Sequence, residues 1–214
     1  MTSKKKQKAL IVCNGEAPAI TLAHKLAPAV SLVVAADGGA NLCRKLGILP
    51  HVIIGDLDSV DRGTTQHFSS SEIIKVRRQD NTDLEKALDY VIDRNISEVT
   101  IVGATGIRVD FTLGNFSVAW VYAEKINMRF VGDGWFAAPI VKRVEMAAPK
   151  RTRVSLIPFG ECSGITVHGL RYPLTNARMR VGEIGVSIVV EKSPFSVEVR
   201  EGSMMIFVFR SAIR

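Results

Sequence analysis

Val52-Ile53-Ile54-Gly55-Asp56-Leu57-Asp58-Ser59 is the stretch of this chain that decides its fold. A short β-branched run ends at a glycine, and two aspartates follow at once. A continuous apolar run of this kind is typical of a strand covered on both faces, as in a parallel sheet. Carboxylates held together at a buried strand end are costly unless a cation neutralises them. The stretch therefore predicts a buried strand whose carboxyl end holds a hard divalent metal. The expected reason to hold such a metal is that it binds a polyphosphate.

Similar apolar runs recur through the first 130 residues, with helical patterns between them. The predicted strands are residues 9–13, 31–36, 52–54, 73–76, 99–102 and 128–131. Helices are predicted over 40–46, after the capping box Thr82-Asp83-Leu84-Glu85, and over 113–126. The alternation predicts an α/β domain over residues 1–132, with a doubly wound, mostly parallel sheet and helices on both faces.

The pattern changes after Gly132-Asp133-Gly134, which we take as a domain boundary. The predicted strands are then residues 154–157, 165–167, 179–181, 186–190, 196–199 and 204–209. Glycine, proline and asparagine separate them, and helical periodicity is weak. Residues 133–214 are therefore expected to form an antiparallel β-sandwich or a small barrel.

Composition narrows the class of protein. Of 214 residues, 47% are hydrophobic and 23% charged, and no apolar stretch approaches the roughly 18 residues needed to span a bilayer. Three cysteines without a C-x-x-C pair are expected to be reduced thiols in the cytoplasm. The formal charge of +7 comes partly from a lysine-rich start and suits attraction of small anions. Basic residues without interleaved exposed aromatics do not indicate nucleic-acid binding, so we expect neither a nucleic-acid nor a membrane partner.

Polar residues follow nearly every predicted strand of the α/β domain, at the edge where open sheets bind ligands. They are Asn14-Gly15, Asp37-Gly38-Gly39, Asp56, Asp58, Gln79, Asp80, Asp83, the loop Gly103 to Gly106, Arg108 and Asp110. Each has a plain structural explanation: a tight turn, an Asx turn, a helix cap, or a surface ion pair. Their coincidence at one edge predicts a metal-assisted nucleotide site instead.

Three local patterns support that site. Asp56 and Asp58 alternate by two, so an extended segment would point both carboxylates the same way. Glycines before a predicted helix allow close approach of an anion to unpaired N–H groups. The guanidinium of Arg108 could donate two parallel hydrogen bonds to phosphate oxygens. The four histidines show no metal-binding spacing, which excludes zinc chemistry and acyl transfer.

Several motifs together resemble the thiamin pyrophosphokinase family. They are 36–41 with 46–50 and 54–59, the run 79–88 (QDNTDLEKAL), the run 103–115 (GATGIRVDFTLGN), and the C-terminal runs 169–176 and 185–187. The resemblance covers most of the chain. It implies an α/β domain followed by a β-sandwich, a homodimer, and transfer of the pyrophosphoryl group of ATP to thiamin, giving AMP.

The resemblance also implies roles for individual residues. Asp56, Asp58 and Asp83 would hold Mg²⁺ and, with Arg108 and Asp110, form the catalytic group; Asp110 is also the candidate general base. The residues around ATP would be Asp37, Gly38, Gly39, Gln79, Lys86, Thr105 and Arg108. Thiamin would lie near Tyr172 and Ser187, between the α/β domain of one subunit and the sandwich of the other.

The chain departs from the family pattern at two positions. Phe111 stands where many members have histidine, and Ile188 where they often have asparagine. Two alternative functions therefore stay open: a Mg²⁺-dependent diphosphokinase for another alcohol, such as a hydroxymethylpterin, and a non-catalytic module that binds thiamin or a nucleotide.

Overall fold

A computed structural model describes residues 7–78, 80–183 and 185–210 of the protein. Gln79, a predicted ATP contact, lies outside these described residues. The chain divides into two compact units between Asp133 and Gly134.

Unit 1 is a parallel α/β layer. Its strands are β1 (Lys8–Val12), β2 (Leu32–Ala36), β3 (Val52–Gly55), β4 (Glu72–Lys75), β5 (Glu98–Val102) and β6 (Asn127–Gly132). Its helices are α1 (Ile20–Leu26), α2 (Gly39–Leu46), α3 (Arg62–His67), α4 (Asp83–Asp93) and α5 (Val109–Tyr122). The strand order is β6-β5-β1-β2-β3-β4, and each neighbouring pair runs parallel. The predicted doubly wound α/β fold is confirmed.

The central strands β1, β2, β3 and β5 are buried on both faces, as their apolar runs predict, whereas the edge strand β4 is largely exposed. Leu10 and Val12 pack in one core cluster with residues of α1 and α2. Ile11 points to the other face and is equally buried, and α4 contacts β1, β2 and β3. Alternate side chains of one strand thus serve two helix layers, which is why these strands read as continuous apolar runs.

Helix α4 forms as its sequence predicts. The Thr82 hydroxyl accepts a hydrogen bond from the Glu85 backbone N–H, and the Glu85 carboxylate accepts from the Thr82 backbone N–H, which completes the capping box. The apolar residues at helical spacing face the sheet and are buried: Leu84, Ala87, Leu88 and Val91.

Three helices differ from the expectation. The short helices α1 and α3 have no predicted counterpart. For α3 the reason is that its sequence, RGTTQH, has no apolar residues at helical spacing. The third, α5, begins at Val109, four residues before the expected start at 113. Its first turn exposes Val109 and Phe111, so no buried face marked that turn in the sequence.

Unit 2 is an antiparallel sandwich. Its strands are β7 (Trp135–Ile140), β8 (Arg143–Met146), β9 (Arg153–Pro158), β10 (Cys162–His168), β11 (Leu174–Met179), β12 (Gly185–Val189), β13 (Phe195–Glu198) and β14 (Met204–Phe209). The neighbours run β12-β9-β14-β7 in one layer and β11-β10-β13-β8 in the other. Both layers contribute to one core cluster, which includes Leu156, Ile165, Phe195 and Ile206. The predicted sandwich is confirmed.

The strand expected at residues 179–181 is wrong. Strand β11 ends at Met179, and the chain then turns, with the Glu183 N–H donating to the Arg180 carbonyl and Gly182 at a φ of 94°. Strands β7 and β8 have no counterpart in the expected set. The half-exposed residues of β7 and its Pro139 hide any alternation there, whereas β8 (RVEM) does alternate but is only four residues long.

One outer strand of each layer carries a bulge. In β11 the pairing with β10 shifts beside Asn176, which has a φ of 50°. In β12 the pairing with β9 shifts beside Ser187, which has a φ of 56° and donates its N–H to the Ser155 hydroxyl. Bulges bend a strand locally and re-aim its side chains.

Two further features bear on the expected class of protein. Within the described ranges, no helix combines the length and apolar character that crossing a bilayer requires. Cys13, Cys43 and Cys162 are buried and form no disulfide.

Candidate active site

A cleft of ≈ 500 Å³ lies beyond the carboxyl ends of the strands of unit 1. The chain builds β1 to β4 in one direction and then returns to place β5 on the other side of β1. Such a reversal of strand order opens a crevice in which α/β proteins bind ligands. The lining residues come from the loops after four strands and from α4 and α5; they include Asn14, Asp37, Asp56, Asp58, Ser59, Asp83, Gly103, Arg108, Phe111 and Asn115.

Three carboxylates converge in this cleft. Asp37, Asp56 and Asp58 each offer one oxygen, and these oxygens lie within 4.8 Å of one another. The expected reason for the closeness of Asp56 and Asp58 is wrong, because Leu57 between them has a φ of 68° and the segment is not extended. Instead, the Asp58 N–H donates to the Asp56 carboxylate at 3.2 Å, so that an Asx-type turn gathers the pair.

Asp37 is the buried member of the cluster, with 4% of its surface exposed. Burial raises the pKa of its carboxyl above the ordinary value, the Gly38 N–H opposes that rise, and the charge of Asp83 adds to it. Its Oδ1 atom is buried and has no hydrogen-bond partner among the described residues. An ionised carboxylate in this position is unfavourable without a cation.

Asp83 lines the same cleft but is already paired. The Lys86 ammonium donates to Asp83 Oδ1 at 2.8 Å, with 4% of the lysine side chain exposed. Lys86 is absent from the described cleft lining. The magnesium role of Asp83 and the triphosphate contact of Lys86 stay predictions; the pairing gives Lys86 a structural role as well.

The glycines after β2 have a packing role. A Cβ on Gly39 would lie 1.9 Å from the Val12 carbonyl oxygen, and one on Gly38 would lie 2.2 Å from the Asn14 amide. Both glycines therefore let α2 begin against the end of β1. They do not line the described cleft, and their contact with ATP stays a prediction.

The loop after β5 is fixed against the loop after β1. The Gly15 N–H donates to the Gly103 carbonyl at 2.6 Å, and the Glu16 N–H donates to the Thr105 carbonyl at 2.7 Å. The Asn115 side chain of α5 donates to the Ala104 carbonyl at 2.7 Å. Thr105, in the loop after β5, does not line the described cleft. Its contact with ATP stays a prediction.

Arg108 stands at the mouth of the cleft in two contacts. Its Nε donates to Asp110 at 3.2 Å and its Nη2 to the other carboxylate oxygen, forming a fork. Its guanidinium carbon lies 4.2 Å from the centre of the Phe111 ring. The hydrogen bonds from Arg108 lower the pKa of Asp110 and leave this carboxylate poorly suited to accept a proton.

The predicted thiamin contacts lie in unit 2. Tyr172 is exposed, and Ser187 is exposed on the bulge of β12. Ile188 is 8% exposed and packs in the sandwich core, since the bulge turns the adjacent serine outward. The isoleucine therefore fills the core.

Several cleft residues escaped the sequence prediction of the site. Cys13, Ser59, Thr82 and Asn115 line it without having been assigned a role. Burial raises the pKa of the Cys13 thiol to about 12, so this cysteine is protonated and unreactive at neutral pH. Asn14, which directly follows a predicted strand, was among the residues expected at this edge of the sheet, and it does line the cleft.

Comparison with known proteins agrees with this architecture. The family model described as "Thiamin pyrophosphokinase, catalytic domain" matches residues 23–130, and "Thiamin pyrophosphokinase, vitamin B1 binding domain" matches residues 142–204. The thiamine pyrophosphokinase of Bacillus subtilis (strain 168) is 28% identical over 160 residues, which cover 71% of this chain and 74% of that protein.

Solved structures share the fold. The thiamin pyrophosphokinase from Candida albicans superposes with a TM-score of 0.86 at 17% identity, over 95% of this chain and 89% of that one. The enzyme from Geobacillus thermodenitrificans gives 0.83 at 23% identity, over 97% and 99% of the two chains. Since the two family models together match most of the sequence, this chain belongs to the thiamin pyrophosphokinase family.

Proposed function

We propose that this protein transfers the pyrophosphoryl group of ATP to the hydroxyethyl group of thiamin, giving thiamin diphosphate and AMP. Family membership supports the reaction. The observation that carries it is the convergence of Asp37, Asp56 and Asp58 at the strand-order reversal, with a buried carboxylate oxygen that has no partner within the described part of the chain.

The carboxylate cluster suits Mg²⁺. All three side chains offer oxygen atoms, which hard divalent cations prefer, and a cation would satisfy Asp37 Oδ1. Asp37, Asp56 and Asp58 would hold the metal, with Asp83 beside them. When bound, the metal neutralises the charge on the polyphosphate and on the AMP oxygen that leaves.

The remaining cleft residues would position the nucleotide. Arg108 presents a planar fork at the mouth, which matches two phosphate oxygens. Asn115 holds the loop after β5 in place through the Ala104 carbonyl. Attack by a primary alcohol on the β-phosphorus then needs alignment and charge stabilisation, with no covalent enzyme intermediate.

For the acceptor, Tyr172 and Ser187 are the proposed contacts. Thiamin is cationic, and the face of an exposed tyrosine ring attracts cations. The core position of Ile188 leaves Ser187 available, because the two side chains point in opposite directions.

The product nucleotide tests this function. Purified protein incubated with ATP, Mg²⁺ and thiamin should form AMP and thiamin diphosphate in equal amounts, measured by ion-exchange chromatography. ADP as the nucleotide product would contradict pyrophosphoryl transfer. Turnover with a hydroxymethylpterin and none with thiamin would favour the other diphosphokinase, and binding of both ligands without turnover would favour the non-catalytic module.

We also propose a homodimer. Helix α5 places apolar side chains on its exposed side as well as on its buried side, since Val109, Leu113 and Val121 are exposed on unit 1. Several large apolar side chains exposed on one helix mark a surface that a partner covers, and a second copy is the proposed cover.

Leu113→Glu should therefore shift the protein from dimer to monomer at micromolar concentration, measured by light scattering. Leu49→Glu is the matched control, since Leu49 and Leu113 are both 61% exposed and Leu49 lies away from α5. A wild-type protein that is fully active as a monomer would contradict the dimer.

A location in the cytoplasm is likewise proposed, in keeping with three buried thiols that form no disulfide.

A further inference from the structure

The Arg108 side chain would bind phosphate more tightly if another residue held its guanidinium in place before the ligand arrives. This side chain is 63% exposed at the start of α5. A long side chain in water loses rotamer freedom when it binds a ligand, and this loss opposes binding. Any group that holds the guanidinium in place beforehand reduces that loss.

The two contacts of Arg108 differ in what they leave open. Asp110 occupies the N–H donors on the edge of the guanidinium, which are the donors a phosphate would use. The guanidinium carbon lies over the face of the Phe111 ring, and this cation–π contact uses none of these donors. A phosphate can therefore replace Asp110 while the ring contact persists.

Phe111 is also placed as a support for the cleft. It lines the cleft beside Arg108, and 49% of its surface is exposed. It belongs to neither of the two core clusters found among the described residues. Burial of apolar area thus gives only a partial reason for a phenylalanine here, whereas the ring face under Arg108 gives a specific one.

We propose that Phe111 is a positioning residue for Arg108, whose guanidinium it holds by stacking at the cleft mouth so that the triphosphate of ATP displaces Asp110 from the fork. This inference rests on the proposed function, because it assigns ATP to the same cleft. Phe111 acts through the arginine and makes no contact with the reacting phosphorus.

Removing the ring should weaken ATP binding selectively. Phe111→Leu keeps an apolar side chain but removes the π face, so KM for ATP and Kd for Mg²⁺-ATP should rise about two- to fivefold, the value expected for an exposed cation–π contact. The change in kcat should be small, because support present before binding acts equally on ground and transition states. KM for thiamin should be unchanged, and Phe111→Tyr should restore the wild-type values.

A double-mutant cycle with Arg108→Ala makes the test decisive. If Phe111 acts through Arg108, Phe111→Leu should have no further effect on KM or Kd for ATP in the Arg108→Ala background. An equal effect in both backgrounds, an unchanged Kd in Phe111→Leu alone, or a failure of Phe111→Tyr to restore binding would each overturn the inference.

Calorimetric titration with Mg²⁺-ATP separates this inference from the function. Wild-type protein that forms AMP while Phe111→Leu binds ATP normally would refute only the role of Phe111. Wild-type protein that binds ATP and loses affinity in Phe111→Leu, yet forms no AMP, would refute only the reaction. Wild-type protein that binds no ATP would refute both.

Discussion

Asp56→Asn and Asp58→Asn should each lower the rate of AMP formation by at least about a hundredfold, the scale seen when one group that stabilises transition-state charge is removed. The two carboxylates meet Asp37 within 4.8 Å, and an amide in place of either removes one negative charge from the group. The rate should be measured with ATP and thiamin at saturating Mg²⁺. Retention of more than a few per cent of wild-type activity by both variants would contradict the metal role.

The same two variants should keep their fold. Three carboxylates in one cleft repel one another when no cation is present, so the thermal midpoint of either variant should equal or exceed that of the wild type. Added Mg²⁺ should raise the midpoint of the wild type and have little effect on the variants. Asp93→Asn is the control: Asp93 is exposed at the end of α4, away from the cluster, and its replacement should leave activity and the Mg²⁺ response unchanged.

Gly39→Ala should destabilise the protein by more than about 3 kcal/mol, above the usual cost of overpacking, because the clash involves backbone. The added Cβ would lie 1.9 Å from the carbonyl oxygen of Val12, which is itself fully buried at the end of β1. Neither α2 nor β1 can retreat without moving Asp37 or Asn14 in the cleft. The loss should appear as a lower urea midpoint, or as insoluble protein.

Gly114→Ala is a matched comparison within the same unit. Gly114 also lies in a helix, but a Cβ there would meet nothing within 4 Å. The alanine should stabilise the protein by about 0.5–1 kcal/mol through helix propensity alone. Equal effects of the two substitutions on the urea midpoint would contradict the packing role of Gly39.

The parallel layer was predictable because its central strands β1, β2, β3 and β5 are buried on both faces. Runs such as 52–54 and 99–102 carry no polar residue that could mark a solvent face, except Thr100. The capping box at Thr82 fixed the start of α4 in the same way. Both the apolar runs and the capping box depend only on residues close together in sequence, and the structure retains the elements that they predict.

The geometry of the site depended on contacts distant in sequence. The Asn41 side chain donates to the Ser59 carbonyl and accepts from the Asp61 N–H, which ties α2 to the loop that carries Asp56 and Asp58. Neither this tie nor the left-handed turn at Leu57 has a signature in residue spacing. The sequence placed these aspartates at one edge of the sheet and offered an Asx turn only as an alternative explanation; it did not show that Asp37 would be the carboxylate grouped with Asp56 and Asp58.

The bulges beside Asn176 and Ser187 have a consequence for how copies of this chain can associate. An unbroken outer strand would offer a ladder of N–H and C=O groups to any other polypeptide. A left-handed residue in each of these two strands interrupts that ladder and removes a template for open-ended, fibre-like growth. Association at these two margins must therefore use side chains, which can specify a closed assembly of defined size.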